Sequence, residues 1–114
     1  MNPILDFLGQ IPENQGAWTF DTRGKVLERN AGTILTEEKI VEVSTMVASL
    51  FYVYAKNYEP IMEISFLYDN HRLWVRTMGN DYVALMMPGI TPASHIQGWF
   101  NQGMEALAQL ESQQ

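Results

Sequence analysis

Apolar residues in the stretch 37–58 recur at the spacing of an α-helix. Ile40, Val43, Val47, Leu50 and Tyr54 would share one face of that helix. A helix that packs on one sheet needs a single apolar face, so any further apolar residues in the stretch require a second explanation.

The further apolar residues fall on two flanks of the predicted helix. At about 100° per residue, one flank holds Val41, Ala48, Phe51, Tyr52 and Ala55, and the other holds Met46 and Val53. Two interpretations stay open: the helix is buried deeply within its own domain, or it has a second apolar face for another subunit. The run 43–54 carries no charge but is shorter than the roughly 20 residues of a membrane span, so we predict no membrane insertion.

The remaining segments predict five strands and two further helices. We interpret residues 61–68, 72–78 and 82–87 as strands, joined by turns at 69–70 and 79–80. Residues 17–20 and 25–29 predict an earlier hairpin around the turn at 21–24, where Gly24 takes a left-handed conformation. A short helix begins at Pro3, and a last helix begins at Pro92. The predicted buried face of the last helix consists of Ile96, Phe100, Leu107 and Leu110, with Trp99 beside it.

This order of elements predicts an α+β fold. The chain reads helix, two strands, helix, three strands, helix, and tight hairpins within each strand group favour a five-stranded antiparallel sheet. The long central helix would lie on one face of that sheet. We expect residues 1–114 to form a single domain, which a chain of this length can fill with one core.

Composition narrows the possible partners. The formal net charge of −6 disfavours nucleic acid and direct contact with an anionic membrane. The absence of Cys excludes disulfides and thiolate metal sites. The first residues lack the basic segment and the long apolar run of a signal peptide, so we expect a cytoplasmic protein that reaches a membrane surface only through partners.

Signals of catalysis are absent from the sequence. No phosphate-binding loop is present, and His71 and His95 lack neighbours at metal-ligand spacing, so we predict no catalytic, cofactor or metal site. Arg72, Trp74 and Arg76 share one face of a strand. That set could stack on bases, but packing of the Arg stems against Trp74 across the strands is the better interpretation at this net charge.

The segment QIPENQGAWTFDTRGKVLERNAG, at residues 10–32, resembles the opening of Roadblock-family domains, the family named for dynein light chains. In that family a Gly precedes the first strand, and a turn from an acidic residue to Gly leads into the second. The long helix and the hairpins that end at YVALMMP follow in the same order. The pattern is most similar to the small subunits of Ragulator-type scaffolds, although the last helix is longer here.

The resemblance implies a single Roadblock/longin-like domain without enzymatic activity. Family members pair through the long helix and the strand after it, which joins two sheets into one. The positions that this pairing would use here are Val41, Ser44, Ala48, Phe51, Tyr52 and Ala55 of the helix and Met62, Ile64 and Phe66 of the strand. The partner would be a second copy of the chain or a sister Roadblock-type subunit. Which flank of the helix faces the partner is left open by the sequence.

The resemblance also implies a function. Pairs of such domains bind small Ras-like GTPases or serve as parts of larger signalling or motor complexes. Two other functions stay open from the sequence: a small-molecule sensor of PAS/GAF-like type, and a secretion-type chaperone that binds client segments. The sensor would need a pocket of aromatic residues, for which the candidates are Trp18, Phe20, Trp74 and Tyr82.

Overall fold

The computed structural model describes residues 3–30 and 33–112. The helices are α1 (Pro3–Gly9), α2 (Glu37–Asn57) and α3 (Ala93–Ser112). The strands are β1 (Gly16–Phe20), β2 (Val26–Arg29), β3 (Glu63–Tyr68), β4 (His71–Met78) and β5 (Asp81–Pro88). The strands form one antiparallel sheet in the order β2-β1-β5-β4-β3, so β2 and β3 are its two edges. The predicted α+β class, element order and antiparallel sheet are confirmed.

Local sequence determines where α2 begins and how the hairpins turn. Thr36 caps α2, since its Oγ1 accepts a hydrogen bond from the backbone N–H of Lys39 at 3.2 Å. Asp69 and Asn70 have φ angles of 48° and 67°, which give the two-residue turn between β3 and β4 its mirror-image form. Gly24 has the predicted positive φ, at 87°.

The sheet separates two apolar clusters. On one face α2 packs on side chains that include Trp18, Phe20, Leu73, Val75 and Met86. On the other face α1 and α3 cover Ala17, Trp74, Val83, Leu85 and Met87. The alternation predicted for the last strand is therefore confirmed, with Val83, Leu85 and Met87 on the face opposite Ala84 and Met86.

Two details of α3 differ from the prediction. Leu110 is 48% exposed rather than buried, since the buried residues of α3 end at Gly103. Gly103 is buried instead: a Cβ there would lie 2.6 Å from Cδ1 of Ile4, so the absence of a side chain allows α1 and α3 to approach closely.

Candidate interaction surface

Helix α2 is apolar on more of its circumference than its own sheet covers. Its buried side consists of Ile40, Val43, Ser44, Val47, Ala48 and Phe51. Its exposed large apolar residues are Val41, Met46, Leu50, Tyr52, Val53 and Tyr54, with Tyr58 at the cap. The chain therefore leaves part of the apolar surface of α2 uncovered, as expected for a helix with a second packing face.

One flank of α2 lies against the hairpin between β1 and β2. A Cβ on Gly24 would come within 2.5 Å of the Cα of Thr45, so the turn touches the helix backbone. Val41 and Tyr52 lie within about 40° of Thr45 around the helix axis. We call Val41, Thr45 and Tyr52 the hairpin-side flank.

The opposite flank of α2 lies beside the edge strand β3. Lys39, in the first turn of the helix, interacts with Tyr68 at the end of β3. Met46, Leu50 and Val53 lie within about 40° of Lys39 around the axis. We call Met46, Leu50 and Val53 the strand-side flank; each of these side chains is more than a third exposed.

Three of the helix positions that the sequence suggested for pairing are core residues. Ser44, Ala48 and Phe51 are each at most 4% exposed and face the sheet. The Ser44 Oγ accepts a hydrogen bond of 2.9 Å from Nε1 of Trp18 on β1, and the Phe51 ring stacks on Tyr82 of β5 at 4.4 Å. These side chains already contact their own sheet, so they do not supply surface for a partner.

The other suggested helix positions are exposed, but away from β3. Val41 and Tyr52 belong to the hairpin-side flank, and Ala55 is exposed near the end of α2. Met46 and Val53, which the sequence places on the second flank, are the ones beside the edge strand. Helical periodicity does not distinguish the two flanks, since the strand order decides which one lies next to β3.

The suggested strand residues lie on the α2 side of the edge strand. Met62 is 65% exposed, while Ile64 and Phe66 are half-buried against the cluster under α2. They lie on the same face of the sheet as α2, at the edge that the strand-side flank adjoins.

The backbone of β3 is open on its outer side. The N–H of Thr77 donates to the carbonyl of Met62 at 3.0 Å, so the backbone of Met62 faces β4. Bonded and non-bonded positions alternate along an antiparallel strand. The N–H and C=O groups of Glu63, Ser65 and Leu67 therefore point away from β4, and no strand within residues 3–30 and 33–112 pairs with them.

The charges near this edge are paired locally. Lys39 and Glu42 form an exposed ion pair at 3.4 Å, and the Glu42 carboxylate raises the pKa of Lys39, with a smaller contribution from Tyr68. Glu63 forms an ion pair with Arg76 on β4 at 3.0 Å. Neither pair lies within the strand-side flank, which is apolar.

The tip of the first hairpin carries Arg23. The Asp21 carboxylate accepts hydrogen bonds from the backbone N–H groups of Lys25 and Arg23, and these bonds lower the pKa of Asp21. The guanidinium of Arg23 is exposed at this turn, as is that of Arg29 on β2.

The histidines and acidic residues form no candidate metal site. His71 Nδ1 hydrogen-bonds the side chain of Gln15, and His95 contacts Trp99 edge to face at 6.0 Å. Over residues 3–30 and 33–112 no three His, Cys, Asp or Glu side chains are grouped so that they could hold a metal ion. Within the same ranges, no helix has the length and apolarity needed to cross a bilayer.

The aromatic residues suggested for a sensor pocket do not line one cavity. Trp18 and Phe20 are fully buried under α2, and Tyr82 packs between Phe20 and Phe51. Trp74 lies on the opposite face of the sheet, beneath α3. Trp74 lies between Leu73 and Val75, which face α2, and adjacent positions along a strand point to opposite faces. The prediction of one pocket lined by all four aromatic residues is therefore wrong. The same burial removes Trp74 as an exposed stacking platform.

Solved structures with the same fold identify the architecture. A Roadblock/LC7 domain from Streptomyces avermitilis matches with a TM-score of 0.73 and 10% sequence identity, over 98% of each chain. The chain has a Roadblock-type fold. The gliding protein MglB from Thermus thermophilus has the same fold, with a TM-score of 0.72 and 17% identity over 97% of this chain and 87% of that one.

A third match extends the comparison. MglB from Myxococcus xanthus has a TM-score of 0.74 and 8% identity, covering 99% of this chain and 95% of that one. No protein-family model and no curated protein sequence matches the chain. The Roadblock fold is therefore recognised here from structure, and the closer resemblance to Ragulator-type subunits stays a prediction.

Proposed function

We propose that this chain is a non-enzymatic scaffold module that pairs through β3 and the strand-side flank of α2. The partner is a second copy of the chain or a sister Roadblock-type subunit. The observation that carries the proposal is that two incomplete surfaces, an unpaired strand edge and an uncovered apolar helix flank, lie on the same side of the domain.

The helix flank and the strand edge also extend over the same length of the sheet. At one end Lys39 meets Tyr68; at the other, Phe51 stacks on Tyr82, whose strand neighbour Thr77 bonds to Met62. The helix covers about 18 Å between these ends and the strand about 20 Å. The middle of the helix, at Met46, therefore lies beside the middle of the strand, at Ser65. One two-fold axis can pass through both.

An antiparallel pairing of two β3 edges about Ser65 uses every free backbone group of the strand. Ser65 would face its own copy, and Glu63 would face Leu67 of the second copy, so that no two carboxylates oppose each other. On the helix side, Met46 and Leu50 would pack against the same residues of the partner. This axis supports a homodimer and is equally open to a similar sister subunit.

The second half of the proposal is that the pair binds or positions a small Ras-like GTPase or a larger signalling or motor complex. Its support is the Roadblock fold, shared with the gliding protein MglB, and the resemblance of the sequence to a family of GTPase-binding scaffolds. We also propose that the protein works in the cytoplasm and reaches membranes through its partners.

The proposal assigns no catalytic residue to the chain. An arginine inserted into a GTPase site accelerates hydrolysis by roughly 10³ to 10⁵, and Arg23 is the best-placed candidate for such a role. We expect Arg23→Ala to change the turnover of a bound GTPase by far less than the low end of that range, because the module acts by positioning its partner. A thousandfold loss of GTPase turnover in Arg23→Ala, with unchanged binding, would show that the chain supplies a catalytic residue.

Two measurements test the proposal in sequence. Sedimentation at micromolar concentration should give a dimer for the chain alone or for its mixture with Roadblock-type chains from the same organism. The pair should then bind purified small GTPases, compared in their GDP-bound and GTP-bound states. A folded monomer that pairs with none of these chains would contradict the first half; a stable dimer that binds no GTPase and no larger complex would contradict the second.

A further inference from the structure

The face of the sheet opposite α2 is covered by α3 only in part. Helix α3 lies alongside β4, where Nη1 of Arg76 donates to Oδ1 of Asn101 at 2.8 Å. Beyond that contact Ser65 and Leu67, two of the β3 side chains on this face, are exposed. An apolar side chain such as Leu67 on an uncovered sheet face is a candidate for contact with another molecule.

The two arginines of this face differ in their partners. Arg76 is held by Glu63 and Asn101. The side chain of Arg72 makes no ion pair and no hydrogen bond within the described residues, and its Nε is buried without an acceptor. A partly buried cation without an anion is unfavourable, so an incoming carboxylate would be stabilised there.

A second donor without an acceptor stands next to it. Trp74 follows Arg72 by two positions on β4, so both side chains lie on the same face. Trp74 is 8% exposed, and its Nε1 finds no acceptor within the described part of the chain. Of these two donors, Arg72 is the one that an incoming acceptor can reach, because its side chain is partly exposed whereas Trp74 is buried beneath α3.

An apolar groove borders the cation. Leu67 is the cross-strand partner of Arg72, and Leu67, Pro88 and Ile90 line a groove of about 460 Å³ together with Asn70 and Gly89. Ile90 is 94% exposed. Directly opposed side chains on neighbouring strands are about 5 Å apart at Cβ, so one extended segment can reach both the groove and the guanidinium.

We propose that this face binds an extended segment of a partner protein in which a carboxylate side chain stands two positions from an apolar one, so that both point toward the sheet. The carboxylate pairs with the Arg72 guanidinium, and the apolar side chain fills the groove at Leu67 and Ile90. Charge complementarity selects this occupant, since Arg72 is the cation of this face without a carboxylate. The contact uses side chains on the flat of the sheet, whereas the proposed pairing uses the outward backbone groups of β3.

A nuclear magnetic resonance titration tests the inference. The probe is a capped peptide in which leucine and glutamate alternate at every second position with serine between them, so that both face the same way in an extended chain. It is added to the intact ¹⁵N-labelled chain up to millimolar concentration. We expect shifts of the backbone resonances of Leu67, Arg72 and Ile90 and of the Trp74 indole N–H. The same peptide with glutamine in place of glutamate should bind at least about tenfold more weakly, as expected for loss of a charge-assisted hydrogen bond.

Matched variants make the test specific. Arg72→Gln should weaken the glutamate peptide about tenfold and leave the glutamine peptide unchanged, whereas Arg29→Gln, an exposed arginine on the other edge of the sheet, should change neither. Leu67→Ser should weaken both peptides. Met46→Glu, which breaks the proposed pairing, should leave peptide binding intact. Absence of shifts on this face, or equal binding of the two peptides, would overturn the proposal.

Discussion

The two edges of the sheet are built differently. Edge strand β2 is four residues long, carries Glu28 and Arg29, and its register with β1 shifts at Phe20. Edge strand β3 is six residues long, pairs with β4 without interruption, and lies beside an apolar helix flank. Short strands, charges and bulges are the features by which proteins prevent unwanted strand pairing. The β2 edge has all three features, so strand pairing is disfavoured there. The β3 edge remains able to pair.

The two flanks of α2 repeat the same contrast. The hairpin-side flank is partly occupied, since the turn at Gly24 touches the backbone at Thr45. The strand-side flank is exposed and lies beside the edge strand β3.

A charge at the core position between the two flanks should destabilise the chain strongly. Ala48 is 3% exposed and faces the cluster under α2. Ala48→Glu would bury an unpaired carboxylate, at a cost of about 3–5 kcal/mol in the free energy of unfolding. Chemical denaturation measures this loss. If the variant keeps its stability and only its dimer dissociates, Ala48 lies in the interface and our assignment of the flanks is wrong.

A proline at the centre of each edge distinguishes the edges directly. Ser65→Pro removes an outward N–H of β3 without breaking the ladder to β4, so the protomer should fold. Each copy then loses an edge hydrogen bond, and an unmet partner carbonyl costs about 1–3 kcal/mol. We expect dimer affinity to fall at least about a hundredfold by sedimentation. Arg29→Pro, at an outward position of β2, should leave the dimer intact, and equal loss in both variants would contradict the account.

Charges on the two flanks should differ in effect. Met46 and Val41 are exposed to nearly the same degree, at 44% and 45%. Met46→Glu would place two carboxylates near the proposed axis and weaken the dimer by about 2 kcal/mol or more, while Val41→Glu should change it by less than about 0.5 kcal/mol. Light scattering over a dilution series measures both. The reverse order would move the interface to the hairpin-side flank.

Low pH should slightly destabilise the turn of the first hairpin. The pKa of Asp21 is lowered in the folded chain, so its contribution to stability is present above its usual pKa of 3.8 and is lost as the pH falls through the folded value. Amide exchange at Arg23 and Lys25 should therefore become faster relative to the rest of the chain at low pH. Asp21→Asn should remove that pH dependence without affecting the β3 edge.

Much of this architecture follows from local patterns in the sequence. Periods of two and 3.6 residues separate strands from helices, and Thr36, Gly24 and the Asp69–Asn70 turn are local signals with local causes. Long-range features were not predictable in this way. Which flank of α2 lies beside β3 depends on the position of β5 between β1 and β4. The periodicity of α3 does not indicate that Gly103 is buried or that Leu110 is exposed.

The edge at β3 can be tested in the chain itself, since it contains no Cys. In the proposed pairing Ser65 faces its own copy with Cα atoms about 5.5 Å apart, a distance that a disulfide spans. Mild oxidation of Ser65→Cys at micromolar concentration should therefore give a covalent dimer, and Leu27→Cys, exposed on β2, should not. A covalent dimer through Leu27→Cys, with Ser65→Cys remaining a free thiol, would contradict the account.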